Sequence, residues 1–258
     1  MKAMIFAAGL GTRLKPFTDT KPKALLPLAG KTLLQWQIEK LKAVGITDIV
    51  VNVHHFGEQI IDYLQVNNGF GCNVRISDER GQLLETGGGL LYAYDNGNIQ
   101  TEPVLVCNVD ILSNINLVDL IAAHVNSPKL LATVVVSERE TQRYLLFDRN
   151  GELCGWTNKN TGEVKPEVLR DNASEIGNLK MLAFSGMQIV EPSFFAELQQ
   201  TRAEKGEKFS LIDTYLSIVS RQAGVIRAYV PQQYKMMDVG KIDQLGEAER
   251  FAMQLAVE

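Results

Sequence analysis

Cysteine is nearly missing from this chain: three residues in 258, at Cys72, Cys107 and Cys154, with no C-x-x-C pair and no His/Cys cluster. Such spacing excludes a disulfide framework and argues against zinc, leaving the three as small apolar fillers in a reducing compartment. Histidine is as scarce. Two of the three, His54 and His55, follow an apolar run, and a loop histidine is more often structural or solvated than catalytic. No apolar stretch approaches the length of a membrane span. The opening Met1-Lys2-Ala3-Met4-Ile5-Phe6-Ala7-Ala8 is similar at first sight to a signal peptide, but it is too short and passes directly into a glycine loop, so it reads as a first strand. A dominant charge is lacking as well: 26 basic residues face 30 acidic ones, and the basic residues are scattered. Neither nucleic acid nor an anionic membrane is then an expected partner, and a cytoplasmic protein is. Internal repeats, heptads and low-complexity tracts are absent.

What the chain has is alternation. Thr32 to Val44 sets Leu34, Ile38, Leu41 and Val44 at helical spacing, with Gly45 as a stop. Asp48 to Val53, Cys72 to Ser77, Val104 to Val109 and Leu130 to Val136 are short apolar or β-branched runs and read as strands. Helices are expected around Phe56 to Gln65 and over Leu117 to Val125. Strands alternating with helices predict an α/β fold whose mostly parallel sheet is covered on both faces. Further on, Arg143 to Phe147 and Glu152 to Trp156 flank Asp148-Arg149-Asn150-Gly151, a hairpin signal because Asn-Gly tolerates positive φ. Residues 157 to 180 are polar, with Asn158, Asn160, Asn172 and Asn178, and read as a loop or small lid. Met181 to Val190 and Val225 to Val230 return to strand, and Phe209 to Arg221 and Ile242 to Met253 to helix.

Between the first strand and the first helix lies Ala7-Ala8-Gly9-Leu10-Gly11-Thr12-Arg13-Leu14-Lys15-Pro16, continuing to Pro22-Lys23-Ala24-Leu25-Leu26-Pro27. Glycines let a backbone approach a phosphate and expose successive N–H groups, while Arg13 and Lys23 bring full positive charges. That combination suits a nucleoside triphosphate. A dinucleotide fingerprint would need a third glycine or alanine where Leu14 stands, and a Walker A loop would end in Gly-Lys-Ser/Thr. The string G-x-G-T-R-L-x-P-x-T-x-x-x-P-K-x-x-x-P resembles, without a gap, the signature of the sugar-1-phosphate nucleotidyltransferases.

That resemblance implies a Rossmann-like three-layer fold in a single domain. Residues 1–137 would form the nucleotide-binding half, and 138–258 a smaller sugar-binding subregion with a closing helix. Many relatives carry a C-terminal β-helix of hexapeptide repeats; here there are none, and the chain looks like the bare catalytic domain. Nucleotidyl transfer needs a cation to neutralise the triphosphate, and magnesium prefers one or two carboxylates plus phosphate oxygens and water. Asp110 ends an apolar strand, so its carboxylate should emerge at the carboxyl edge of the sheet, where open α/β sheets bind ligands. Its expected partner, Asp238, is implied by the similarity of Met236-Met237-Asp238-Val239-Gly240-Lys241 to the family element W-x-D-V-G-T, not by spacing. Arg13 would hold the β- and γ-phosphates through its fork, and Lys23 would place a compact charge near the α-phosphate. No protein nucleophile is required.

The same resemblance places the nucleotide against Ala7, Ala8, Gly9, Gly11, Thr12 and Arg13, with Asn108 at the end of a strand. Leu84-Glu85-Thr86-Gly87-Gly88-Gly89 resembles the family's base-binding glycine element, with Glu85 replacing the common glycine and Gly88 among the expected contacts. Such runs are similar to those of the N-acetylmuramate-1-phosphate uridylyltransferase branch and of some mannose- or heptose-phosphate guanylyltransferases. Glu79 stands where relatives place a glutamine that reads the base. A carboxylate there accepts from uracil N3–H or from guanine N1–H and N2–H, so the chemistry leaves the base open. On the sugar side, Lys159 lies where relatives have Glu-Lys-Pro, here without the Glu and Pro. Ser185 and Gly186 match a segment that packs beside the sugar. The expected reaction is nucleotidyl transfer to a sugar 1-phosphate, best matched by UTP and N-acetylmuramate 1-phosphate. GTP with mannose 1-phosphate is the alternative, and a non-catalytic nucleotide-sugar-binding regulatory subunit is the alternative of another class. The oligomeric state is not legible.

Overall fold

The structure, a computed structural model, describes residues 1–127, 129–170 and 176–255; Asn172, in the polar stretch noted above, lies outside the described residues. A ten-stranded mixed sheet forms its centre. The parallel part is N-terminal: β1 (Lys2–Phe6) sits between β4 (Asp48–Val53) and β6 (Val104–Asn108), and β5 (Asn73–Asp78) pairs outside β4. All of these strands run in the same direction, so their carboxyl ends, at Phe6, Val53, Asp78 and Asn108, share one edge.

The second half turns the sheet antiparallel. The long strand β12 (Lys180–Val190) pairs with β6, with β8 (Ala132–Ser137) and with β9 (Arg143–Phe147). β10 (Leu153–Asn158) closes the expected hairpin with β9 around Asp148 to Gly151, where Gly151 takes a φ of 78° and Asp148 accepts from the Asn150 and Glu152 amides. β11 (Glu163–Lys165) continues this arm within the polar segment read as a loop, and β13 (Ile226–Tyr229) runs parallel to β8. Two short ribbons lie outside the main sheet. β2 (Pro27–Leu28) pairs with β3 (Lys31–Thr32), and β7 (Ile111–Ser113) pairs with β14 (Met236–Asp238).

Helices cover both faces because the strands are apolar on both. In β1, Ala3 and Ile5 pack on one side with α1 (Leu33–Ala43), α2 (Gly57–Val66), α4 (Leu117–Val125) and α8 (Leu245–Leu255). Met4 points to the other, toward α3 (Glu85–Asp95), α6 (Phe194–Lys205) and α7 (Leu211–Val219). A one-turn α5 (Glu167–Arg170) lies at the end of the antiparallel arm. Thr32 caps α1 by accepting from the Gln35 amide, and Asn116 caps α4. Cys107 is buried in the core, where loss of water pushes its thiol up to about 12, so it is an inert filler. Among the described residues no helix is long and apolar enough to cross a membrane.

Candidate active site

The carboxyl edge of the parallel strands opens into a cleft of ≈ 410 Å³ lined by Phe6 to Gly9, Lys23, Asn52, Glu79, Glu85, Thr86, Asn108, Asp110 and Ser210, among others. A second lobe of ≈ 220 Å³ shares Phe6, Thr86 and Asn108 with it and extends past Phe184, Gly186, Gln188 and Tyr215. The two lobes thus meet at Asn108. Most of the residues expected at the nucleotide and at the metal are brought to the first lobe.

The loop after β1 is shaped by its own internal contacts. Position 11 calls for glycine twice over: its φ of 62° is left-handed, and a β-carbon there would stand 2.8 Å from Thr18 Cγ2, whose residue's hydroxyl donates to the Gly11 carbonyl. Thr12, Arg13 and Leu14 form a 3₁₀ turn that leaves Thr12 and Arg13 exposed. Gly9 is different: nothing lies within 4 Å of where its β-carbon would be, and it borders the cleft. Lys23, only 7% exposed, pairs its ammonium with Asp110 Oδ2 at the cleft floor.

Asp110 and Asp238 arrive from distant segments and are joined by the β7–β14 ribbon, in which Asp238 lies opposite Ile111 and the Val239 amide donates to the Asp110 carbonyl at 2.9 Å. Asp238 feels the Asp110 charge. Withdrawal from water first, and then the Asp110 charge, hold the Asp238 carboxyl above the usual aspartate value, while Lys23, Arg13 and Arg139 pull it back. Arg13 passes close to this ribbon, since a β-carbon on Gly240 would meet its Nη2 at 2.9 Å. The two anionic carboxylates form a hard oxygen donor set that suits magnesium shared with phosphate oxygens. Among the described residues no group of three His, Cys, Asp or Glu side chains stands ready to hold a metal by itself.

Glu79 and Asn52 make a buried pair that sequence reasoning only half anticipated. Asn52 Oδ1 accepts from the Ala7 amide at 2.6 Å and the Ala8 amide at 3.3 Å, and its Nδ2 donates to Glu79 Oε1 at 2.7 Å. The other Glu79 oxygen accepts from the Leu84 amide at 3.3 Å. Burial pushes the Glu79 carboxyl upward; the Asn52 and Leu84 bonds and the nearby His54 oppose it. The signal for Asn52 was one polar residue within Val50-Val51-Asn52-Val53, a strand apolar on both faces.

The second glycine run is not a loop but the first turn of α3. Gly88 is turned away from the cleft, where a β-carbon would stand 2.2 Å from the Glu207 carbonyl oxygen, and Gly87 and Gly88 donate their amides to Phe209 O. Gly88, expected as a nucleotide contact, packs against the Glu207 backbone and is not among the residues lining the cleft. Glu85 lines the cleft at a φ of 62°, a left-handed conformation uncommon for a residue other than glycine, and pairs at 3.7 Å with Lys208. Thr86 accepts from the Leu211 amide and Ser210 caps α7, tying this wall to the C-terminal half.

On the sugar side, Gly186 lies at a bulge of β12 with φ 71°, against Ile111 and the Asn108 amide, and borders the second lobe. Ser185 is fully buried and shares a 3.2 Å hydrogen bond with Ser137, so it supports this bulge from below. Tyr215 donates to Gln188 Oε1 at 2.5 Å in the same lobe. Lys159 is not brought to either lobe; its ammonium stands 4.8 Å over the Tyr144 ring. Arg139 donates to the Phe184 carbonyl beside the bulge.

Known proteins resemble this chain in sequence and in fold. The model of the family described as nucleotidyl transferase matches residues 2–254. Over 116 residues, 45% of this chain, the protein is 45% identical to the N-acetylmuramate alpha-1-phosphate uridylyltransferase of Neisseria meningitidis serogroup B. Over 145 residues, 56% of the chain, it is 37% identical to the mannose-1-phosphate guanyltransferase of Neurospora crassa. The matches span 49% and 40% of those two relatives, so the chain is aligned to about half of each or less. A UDP-glucose pyrophosphorylase solved with UDP-glucose superposes with a TM-score of 0.75 over 98% of this chain and 99% of that one, at 20% identity, and so shares the fold.

Proposed function

The chain belongs to the nucleotidyl transferase family, and from that premise we propose that it moves a uridylyl group from UTP to a sugar 1-phosphate, with N-acetylmuramate 1-phosphate as the acceptor. The carrying observation is the cleft wall, where Gly9 and the Lys23–Asp110 pair line one cavity and the β7–β14 ribbon ties the Asp238 segment to that of Asp110. An oxygen of the sugar 1-phosphate attacks the α-phosphorus in line. The new P–O bond forms as the bond to the β-phosphate bridging oxygen breaks, and pyrophosphate leaves with the electron pair. No proton transfer or protein nucleophile is needed, so the protein contributes position and charge.

Lys23, freed from Asp110 when phosphates enter, neutralises charge that grows on the α-phosphate. Arg13 grips the β- and γ-phosphates with its fork and stays with the departing pyrophosphate. Asp110 and Asp238 are the residues that would hold Mg²⁺, which supplies further charge neutralisation on the triphosphate. The nucleotide occupies the larger lobe and the sugar the smaller, with Asn108 and Gly186 at their junction. The reading places the reaction in the cytoplasm, where nucleoside triphosphates are available.

The uridylyl choice is supported by the activity for which the Neisseria relative is named and by the Glu85-to-Gly89 run. The Neurospora relative supports a second reading, guanylyl transfer from GTP to mannose 1-phosphate. Pyrophosphate release measured with each of four triphosphates against a panel of sugar 1-phosphates decides between them. Turnover with UTP and N-acetylmuramate 1-phosphate above all other pairs is the expected result; a preference for CTP or ATP would overturn the choice of base.

A further inference from the structure

Two features of the nucleotide lobe do not fit a glutamate that reads the base directly. Glu79 is 3% exposed, and each of its oxygens already accepts from the protein, Oε1 from Asn52 and Oε2 from Leu84. Asn52, also 3% exposed, spends its carbonyl on the amides of Ala7 and Ala8, two of the residues that line the cleft. We propose that Glu79 is a positioning residue: by accepting from Asn52 Nδ2 it locks the Asn52 amide with its oxygen toward Ala7 and Ala8, and so fixes the backbone that faces the nucleobase.

An asparagine amide has two ends of similar shape and opposite polarity, and only its partners decide which way it points. Here the two N–H groups on one side demand the oxygen, and an acceptor on the other side demands the nitrogen. A carboxylate is acceptor-only when ionised, so it enforces one orientation. The consequence for binding is chemical. With their N–H groups taken by Asn52, Ala7 and Ala8 have no amide donor left for a ligand, and the backbone hydrogen bonds they can offer are through carbonyl acceptors. A wall of that kind favours a base whose ring edge donates, as uracil does at N3 and guanine at N1. The close packing of Gly89 confirms how little room the pair has, because a β-carbon there would stand 2.7 Å from Glu79 Oε1.

This reading rests on the nucleotide site proposed above, and an exchange of the two side chains tests it. Glu79→Gln leaves one poor choice: its oxygen can serve Asn52 or Leu84, and its amide then faces the other donor. Asn52→Asp sets two carboxylates together. Each single variant should raise KM for the triphosphate about tenfold and leave kcat within about threefold, since a buried donor or charge loses its partner while the reacting groups stay in place. Each should also speed hydrogen exchange at the Ala7 and Ala8 amides, read by NMR without substrate.

In the double variant polarity is reversed but every group is paired again. The carboxylate at position 52 accepts from Ala7, Ala8 and the new amide at 79, whose oxygen accepts from Leu84. KM and amide exchange should return to within about threefold of the unmodified protein. A double variant whose KM is the product of the two single changes overturns the proposal, and so does Glu79→Gln with unchanged KM and exchange. If Asn52→Asp alone does not fold, Glu79→Gln and the double variant decide between the same outcomes. An unmodified protein that turns over no triphosphate would sink the transferase reading, while the exchange measurements would still judge the Glu79–Asn52 relay by themselves.

Discussion

The chain has two glycine runs, and they do opposite things. At Gly9 the backbone is left bare on the cleft side, so the space a side chain would fill is kept open, while the Gly11 turn packs on Thr18. At Gly87 to Gly89 the space is already filled, by Phe209, by the Glu207 backbone and by Glu79. One run leaves room for a ligand; the other admits the protein's own chain. Glycine content alone does not distinguish a binding loop from a tight packing joint, and the surrounding charges do. Arg13 and Lys23 accompany the first run, while the second is followed by Leu90 and Leu91, both buried.

The comparison breaks first at its charged end. Lys23→Ala should cut turnover about 100-fold, because a transition-state electrostatic contact of this kind contributes about 3 kcal/mol; steady-state pyrophosphate release measures it. Near-normal turnover in a folded variant would remove Lys23 from the chemistry. Next comes the packing joint. Gly88→Ala should lower unfolding free energy by about 2–3 kcal/mol in urea titration, since its methyl group meets a backbone oxygen that cannot rotate aside.

The same substitution in the first run separates the two roles. Gly9→Ala should leave stability within about 0.5 kcal/mol, as nothing lies near the added methyl. Its cost should appear as a higher KM for the triphosphate. Equal destabilisation by Gly9→Ala and Gly88→Ala would erase the distinction.

The smallest effect concerns pH. Asp238 must be ionised to act as a ligand, so activity is present above its raised pKa and falls as pH drops through it. Arg139 is one of the charges that hold that pKa down. Arg139→Ala should therefore move the acid limb of the kcat/KM profile to higher pH, and a shift to lower pH would contradict the assignment.

Much of this was legible in the residues because it is local. The β1 loop, the apolar strands and the Asn150-Gly151 hairpin each follow from a few consecutive side chains. Helix α3 was not, since three glycines at its start lower helix propensity, and its first turn holds by docking on residues 207–209. Helix α6 escaped as well: its buried residues Phe194, Phe195, Leu198 and Thr201 sit among polar ones without a strong apolar stripe. The β7–β14 ribbon has three residues per strand, too few for periodicity to announce. The Asp110–Asp238 pairing came from the resemblance, because no spacing rule joins residues so far apart. The role of Asn52 depends on contacts at two other positions, which no single stretch of sequence displays.

That short ribbon also sets an order of events for a newly made chain. The glycine loop, Lys23 and Asp110 lie in the first half, and the parallel strands that carry them can pair as soon as they are synthesised. Asp238 arrives only near the other end, and it is placed by hydrogen bonds to β7, a strand made long before. Pairing over such a separation closes a long loop and is intrinsically a late step. A growing or truncated chain can therefore hold the glycine loop and still lack the second carboxylate of the proposed site. On the proposed function, competence for catalysis is withheld until β14 is home.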